Sequence, residues 1–297
     1  MTIKHIVISG GGPSGLMSYG AAKYLNKNNF WDLKNIKSMH GTSIGSLICV
    51  LLSLNMKWED IDDYLIKRPW EKNFEITPDD FLNIFYTKGI VKNTIINIIV
   101  DYLLKINDIS LQVTMREFFD LNKIELNFYT VEINRFEKKV INYKTYPDLK
   151  LIEAIKMSSA FPILFQPIII EKECYIDGGL MCNYAVNECL KSQKCSENEI
   201  LGFYSISNNC NNDLFNIENN TSLLQYMYFL NTKIINYIEE QNNEKKKIPY
   251  EVTCIDKYKG KYMEWFDVFT DQEKRKDLIN EGVNYGKLFY QYYQQMK

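Results

Sequence analysis

Histidine is nearly missing from this chain: His5 and His40 are the only two in 297 residues. A late imidazole base, or a metal site built from several imidazoles, therefore lacks the residues it needs. Paired cysteine spacing is missing too. The seven cysteines, at 49, 174, 182, 189, 195, 210 and 254, form no C-x-x-C. An odd number without that spacing reads as reduced thiols in a cytosol-like compartment rather than a disulfide framework. Excess charge is absent, since 35 basic residues face 37 acidic ones for a net charge of −2. That balance gives no reason to expect a nucleic-acid partner. Long apolar runs are scarce as well. Residues 38–56 lack charged side chains, but the apolar part spans only Ile44 to Leu54. It is short for a membrane span and reads as a buried core helix. The chain begins a strand almost at once, without the apolar segment of a secretory signal. The sequons at Asn219 and Asn220 then carry no weight, and a cytoplasmic protein without signal peptide or transmembrane helix is expected.

What remains is ordinary globular material, 46% hydrophobic and 24% charged, at a length that suits one α/β domain. Ile6 to Ile8 is a short apolar strand, and helical spacing runs from Gly15 to about Asn28. Ile36 to His40 reads as a second strand, with an apolar helix from Ile44. This alternation implies parallel pairing with right-handed crossovers. Trp58 to Ile66 reads as an amphipathic helix. Asn93 to Lys105 is more apolar, with Thr94, Asn97, Asp101 and Lys105 as a narrow polar stripe. Such a helix is either sandwiched in protein or meets something greasy. Glu125 to Glu132 and Lys139 to Tyr143 form a strand pair, and Leu151 to Ser158 a helix. Ile168 to Ile170 and Cys174 to Ile176 lead into the tight turn Asp177-Gly178-Gly179. An Asn-rich loop at 208–220, a helix from Ser222 to Glu240, a solvated loop at 242–247 and a last helix from Asp271 follow. No repeat and no firm boundary divides the chain. A single domain over 1–297 is expected, with the motifs in 1–206 and a less defined part at 207–297.

The stretch His5 to Leu16, HIVISGGGPSGL, poses the functional question. Gly10, Gly12 and Gly15 fit G-x-G-x-x-G, the turn that brings a dinucleotide pyrophosphate to a helix N-terminus. The same amides suit the oxyanion of an ester under attack. The dinucleotide reading demands a carboxylate roughly 20 residues on, at the end of the second strand. Asp32 has that spacing but precedes the strand, so a flavoprotein is a remote alternative. At the strand end stands Gly41-Thr42-Ser43-Ile44-Gly45 instead. G-x-S-x-G between strand and helix is a nucleophile elbow, which lifts the serine to the positive end of the next helix. Its usual triad runs Ser, then Asp or Glu, then His, and no histidine follows Ser43. His40 would lie in the entering strand and point elsewhere. The base is then a carboxylate acting directly, and Asp177 is the candidate, although Asp-Gly turns are common.

Together these residues resemble the patatin-like phospholipase family. The resemblance rests on Gly10-Gly11-Gly12-Pro13-Ser14-Gly15, Gly41-Thr42-Ser43-Ile44-Gly45 and Asp177-Gly178-Gly179. It is extended by Met157 to Pro162, Phe165-Gln166-Pro167, YIDGGLMCNYAV, and a closing helix over Phe269 to Phe289. Ser14 stands where the family often has Lys or Arg, and Asn183-Tyr184-Ala185 where Asn-x-Pro is usual. The resemblance implies a three-layer α/β/α fold with a mainly parallel central sheet. It implies a lipid acyl hydrolase of the phospholipase A type, with Ser43 and Asp177 as a dyad and an acyl-serine intermediate. Gly10, Gly11, Gly12 and Ile44 would form the oxyanion hole, with Gly15, Gly41, Gly45, Gly178 and Gly179 as motif glycines. Neither metal nor cofactor is expected, so activity would be calcium-independent. The implied partner is membrane or micellar lipid, reached by transient peripheral contact. An inactive member serving as a lipid- or protein-binding module is the alternative.

Overall fold

The computed structural model describes residues 2–73, 77–92, 94–207, 217–241, 246–258 and 262–296. Its strands are β1 (His5–Ile8), β2 (Ser38–Thr42), β3 (Gly89–Val91), β4 (Glu125–Glu132), β5 (Glu137–Ile141), β6 (Ile163–Phe165), β7 (Ile168–Ile170), β8 (Glu173–Asp177), β9 (Ile200–Ser207) and β10 (Glu251–Asp256). Strands β1, β2 and β4 are buried along their whole length. Only a sheet covered on both faces gives that pattern. Their order is β10-β9-β1-β2-β4-β8-β7, with β5 also on β4. The pairings from β10 to β4 are parallel, and β5, β7 and β8 join antiparallel. A separate parallel pair joins β3 to β6.

The helices are α1 (Gly15–Lys27), α2 (Ile44–Ser53), α3 (Trp58–Lys67), α4 (Pro78–Thr87), α5 (Thr94–Lys105), α6 (Met115–Asn122), α7 (Leu151–Ser159), α8 (Gly179–Cys182), α9 (Val186–Gln193), α10 (Leu223–Gln241), α11 (Tyr262–Thr270) and α12 (Gln272–Gln295). Ile6, Ile8, Met39, Phe128 and Phe203 turn one sheet face toward Met17 of α1, Ile48 of α2, Ile155 of α7 and Ile279 of α12. Alternation sends Val7, Tyr129 and Ile200 to the other face, against Val186 and Cys189 of α9. The result is the three-layer α/β/α arrangement with a mostly parallel sheet. Among the described residues, no helix is long and apolar enough to cross a membrane.

The register of β4 matters most for the site. Thr42 of β2 lies opposite Tyr129, and Asp177 of β8 lies opposite Thr130. Val140 and Lys139 of β5 occupy the other edge of those two residues. Because each strand residue has two edges, β2 and β8 share one edge of β4 and run toward each other. Their C-terminal ends meet there, bringing residues 43 and 177 together.

Several expectations shift. The second strand runs on from His40 through Gly41 and Thr42, which pair with neighbouring strands. The last helix begins where Asp271 accepts the Glu273 and Lys274 N–H groups. Residues 269–289 are therefore two helices broken at this cap rather than one. Residues 208–216 of the Asn-rich loop and 242–245 of the solvated loop lie outside the described residues.

Candidate active site

Between β2 and α2 the chain turns at Ser43, whose φ is 55° and ψ −127°. A non-glycine residue there carries strain of about 1–3 kcal/mol and persists only where its surroundings fix it. Gly45 permits the turn, since a Cβ there would stand 2.5 Å from the Ile8 carbonyl oxygen. The Ser43 carbonyl accepts the Ser46 N–H at 2.9 Å and the Ser46 hydroxyl at 2.6 Å. Its N–H donates to Ser158 Oγ at 3.1 Å. Ser43 itself stays partly exposed.

Asp177, at the end of β8, is 3% exposed. Oδ1 accepts the Gly179 N–H at 2.7 Å. Oδ2 is buried and, among the described residues, lacks a partner of good geometry. Burial pushes the carboxyl up to about 6, against the Ser43 hydroxyl and the Gly179 N–H, which pull it down. Ser43 is thus close enough to act on the carboxyl. Gly178 and Gly179 turn the chain into α8, and the Thr42 hydroxyl donates to the Cys182 carbonyl at 2.7 Å.

The glycine loop joins them from the end of β1. A Cβ on Gly10 would lie 3.2 Å from that of Ser43. Gly10 departs from the expected donor set, because its N–H donates to the Asn183 carbonyl at 3.1 Å. The N–H groups of Gly11 and Gly12 have no acceptor among the described residues. Ile44, first in α2, has no intrahelical acceptor for its own. Gly12 has φ 56°, and a Cβ there would come 2.7 Å from the Trp265 ring. Gly15 opens α1 against Ile44, and Gly41 lies under the elbow beside Gly45.

From Ser43 an apolar cavity of about 110 Å³ leads inward. Gly12, Ile44, Leu47, Ile155, Phe161 and Trp265 line it, with Ile95, Ile96 and Ile99 of α5. The apolar face of α5 therefore both packs in the core and meets the cavity. Sequence reasoning missed Ser158, Asn183 and Trp265 as neighbours of the site. Ser158 stood inside the family-like stretch from Met157 to Pro162, and Asn183 beside a departure from the family pattern. Trp265 had no local signal.

His40 is fully buried, with Nδ1 2.7 Å from the Tyr129 hydroxyl and Nε2 3.1 Å from Ser38 Oγ. Burial, then the charge of His5, holds its pKa down at about 3. His5 Nδ1 reaches the same Ser38 hydroxyl at 2.8 Å. Both rings are engaged inside the sheet.

A strained serine elbow, a buried carboxylate and a glycine loop at one sheet end define a class of α/β protein. The chain belongs to the patatin-like phospholipase family, whose model matches residues 6–190. It is 26% identical over 196 residues to a probable lipid hydrolase of Invertebrate iridescent virus 6, covering 63% of this chain and 63% of that one. It is 23% identical over 186 residues to an uncharacterized protein of Acanthamoeba polyphaga mimivirus, covering 62% and 60%. The chain thus spans about three fifths of the length of these relatives. Among solved structures, VipD from Legionella pneumophila is similar over 95% of this chain and 67% of its own, with TM-score 0.49 and 16% identity. The ExoU–SpcU complex of Pseudomonas aeruginosa is similar over 95% and 52%, with TM-score 0.42 and 18% identity.

Proposed function

We propose that this chain is a lipid acyl hydrolase in which Ser43 is the nucleophile and Asp177 its base. The observation that carries this reading is the buried Asp177 carboxyl, with Oδ2 unpartnered, beside Ser43 at the mouth of an apolar cavity. Asp177 takes the Ser43 proton as Oγ attacks the ester carbonyl. The N–H groups of Gly11, Gly12 and Ile44 receive the oxyanion, each donor contributing on the order of 100-fold in rate. Asp177 returns that proton to the departing alcohol oxygen while the acyl chain, now an ester of Ser43, lies along the cavity; it then takes a proton from the attacking water and gives it to Ser43 Oγ as the acid leaves.

The substrate class is a long-chain ester of a membrane or micellar lipid, in the phospholipase A manner and without calcium. The cavity wall supports the acyl part, being built almost wholly from apolar side chains. Contact with a lipid surface is supported by α10, whose Leu223, Tyr226, Met227, Leu230, Ile234 and Tyr237 form an exposed stripe. Its Ile238 packs beside Leu180 and Met181, next to the Asp177 turn.

A fluorophosphonate probe and mixed phospholipid vesicles containing chelator test the proposal together. The expected outcome is labelling and fatty-acid release by the wild type and neither by Ser43→Ala. Release that stops with chelator and returns only with calcium refutes the metal-free mechanism.

A further inference from the structure

We infer that Ser158 is the positioning residue that sets Ser43 against Asp177, a role that rests on the dyad reading above. Its hydroxyl accepts the Ser43 N–H at 3.1 Å and donates to the Tyr129 carbonyl at 2.7 Å. Its own carbonyl accepts the Gly178 N–H at 3.4 Å, and the Ala160 carbonyl accepts the Asp177 N–H at 3.0 Å. The end of α7 therefore holds the elbow, the strand between, and the carboxylate turn. Thr130, opposite Asp177, places its hydroxyl between two carbonyls, Ile176 of β8 at 2.7 Å and Met157 of α7 at 2.9 Å, and its one proton serves one of them at a time.

Two features separate this from ordinary packing. A serine near a helix end usually bonds back to a carbonyl of its own helix. Ser158 instead reaches Tyr129 and Ser43, on two other elements, while fully buried. The second feature is how Ser43 is held. Among the described residues its carbonyl is bound within the first turn of α2, through Ser46, and so belongs to that helix. Its N–H tie runs to Ser158, so the tilt of the strained peptide that aims Oγ is set from α7. Serine suits the place, since one hydroxyl donates once and accepts as well. Alanine offers neither function, and cysteine keeps the volume but hydrogen-bonds poorly.

The test uses the full chain, a short soluble ester, and Ser158→Ala, Ser158→Cys and Ser158→Thr. Misplacing a reacting group by about 1 Å costs on the order of 100-fold. Ser158→Ala and Ser158→Cys should therefore lose about 100-fold in kcat, with KM within about twofold of wild type. The midpoint of the acid limb should rise, because Ser43 no longer steadies the ionised carboxylate. Ser158→Thr, which keeps the hydroxyl, should recover most of kcat and the wild-type midpoint. If Ser158→Ala does not fold, Ser158→Cys carries the same expectation. A lower melting temperature with kcat per folded molecule and acid midpoint unchanged would make Ser158 merely structural and overturn the inference. So would a Ser158→Thr as impaired as Ser158→Cys. An active Asp177→Asn refutes the dyad and the positioning role with it. An inactive Asp177→Asn beside an unimpaired Ser158→Cys refutes the positioning role alone.

Discussion

In the proposed dyad, Asp177 would couple activity to instability. Burial raises its carboxyl from 3.8 to about 6. Between those values the folded chain keeps a proton that the unfolded chain has released. The stability this group confers is therefore present below about pH 4 and lost as pH rises through 6. At neutral pH the buried charge costs about 3 kcal/mol, at 1.36 kcal/mol for each pH unit. If Asp177 is the base, as proposed, it works only when ionised, so hydrolysis should climb with a midpoint near pH 6 and level off above it. Asp177→Asn keeps the shape without the charge. It should melt higher than wild type at pH 7.5 and close to wild type at pH 4, as scanning calorimetry would read. A lower melting temperature at pH 7.5 would contradict this cost of the buried charge. The histidines act in the opposite sense. Held near 4 and 3, His5 and His40 confer stability above 6.5 that is lost as pH falls toward those values.

Among the elements, α5 forms one wall of the cavity behind Ser43. Ile95 and Ile96 are buried and Ile99 partly so, all three lining the space behind Ser43. Ile99→Trp should fill that space and shorten the preferred acyl chain. Turnover of a sixteen-carbon ester should fall about tenfold more than that of a four-carbon ester, a difference of about 1.4 kcal/mol. Equal losses on both would return α5 to a plain core role. The elements around the motifs were the ones legible in the sequence. β1, α1, α2, α5, the β4–β5 pair, α7 and β8 each have a period or a turn signal of their own. The glycine loop, the elbow and the Asp177 turn were legible for the same reason, because their shape needs particular local residues. β9 and β10 went unread, although Glu251–Asp256 alternates between buried and exposed residues. Ser158 and Trp265 were beyond local reading, since their partners at Tyr129 and Gly12 become neighbours only once the sheet is assembled. Gly10 misled because its pattern marks a donor loop without saying which amide the fold already uses.

At the scale of the whole molecule, the two ends of the chain support the site from behind. α12 lies so close on α1 that a side chain at Gly282 would collide with the Met17 carbonyl. Arg275, buried on the same helix, donates to the carbonyls of Leu65, Ile66, Arg68 and Phe269. Gly282→Val should force α1 away and lower stability by about 3 kcal/mol or more, as overpacking in a closed interface does. Because α1 starts at the glycine loop, the folded fraction should also lose activity; wild-type activity per folded molecule would separate the two. The sheet supplies the rest, since β4 brings the ends of β2 and β8 together. The most direct measurement is hydrolysis and probe labelling by Ser43→Ala, Asp177→Asn, the double variant and His40→Gln, each confirmed folded by its melt. Ser43→Ala and Asp177→Asn should be nearly inactive, the double variant scarcely worse than either, and His40→Gln mostly active. A folded, inactive His40→Gln beside a substantially active Asp177→Asn would contradict the dyad and move the base to the histidine.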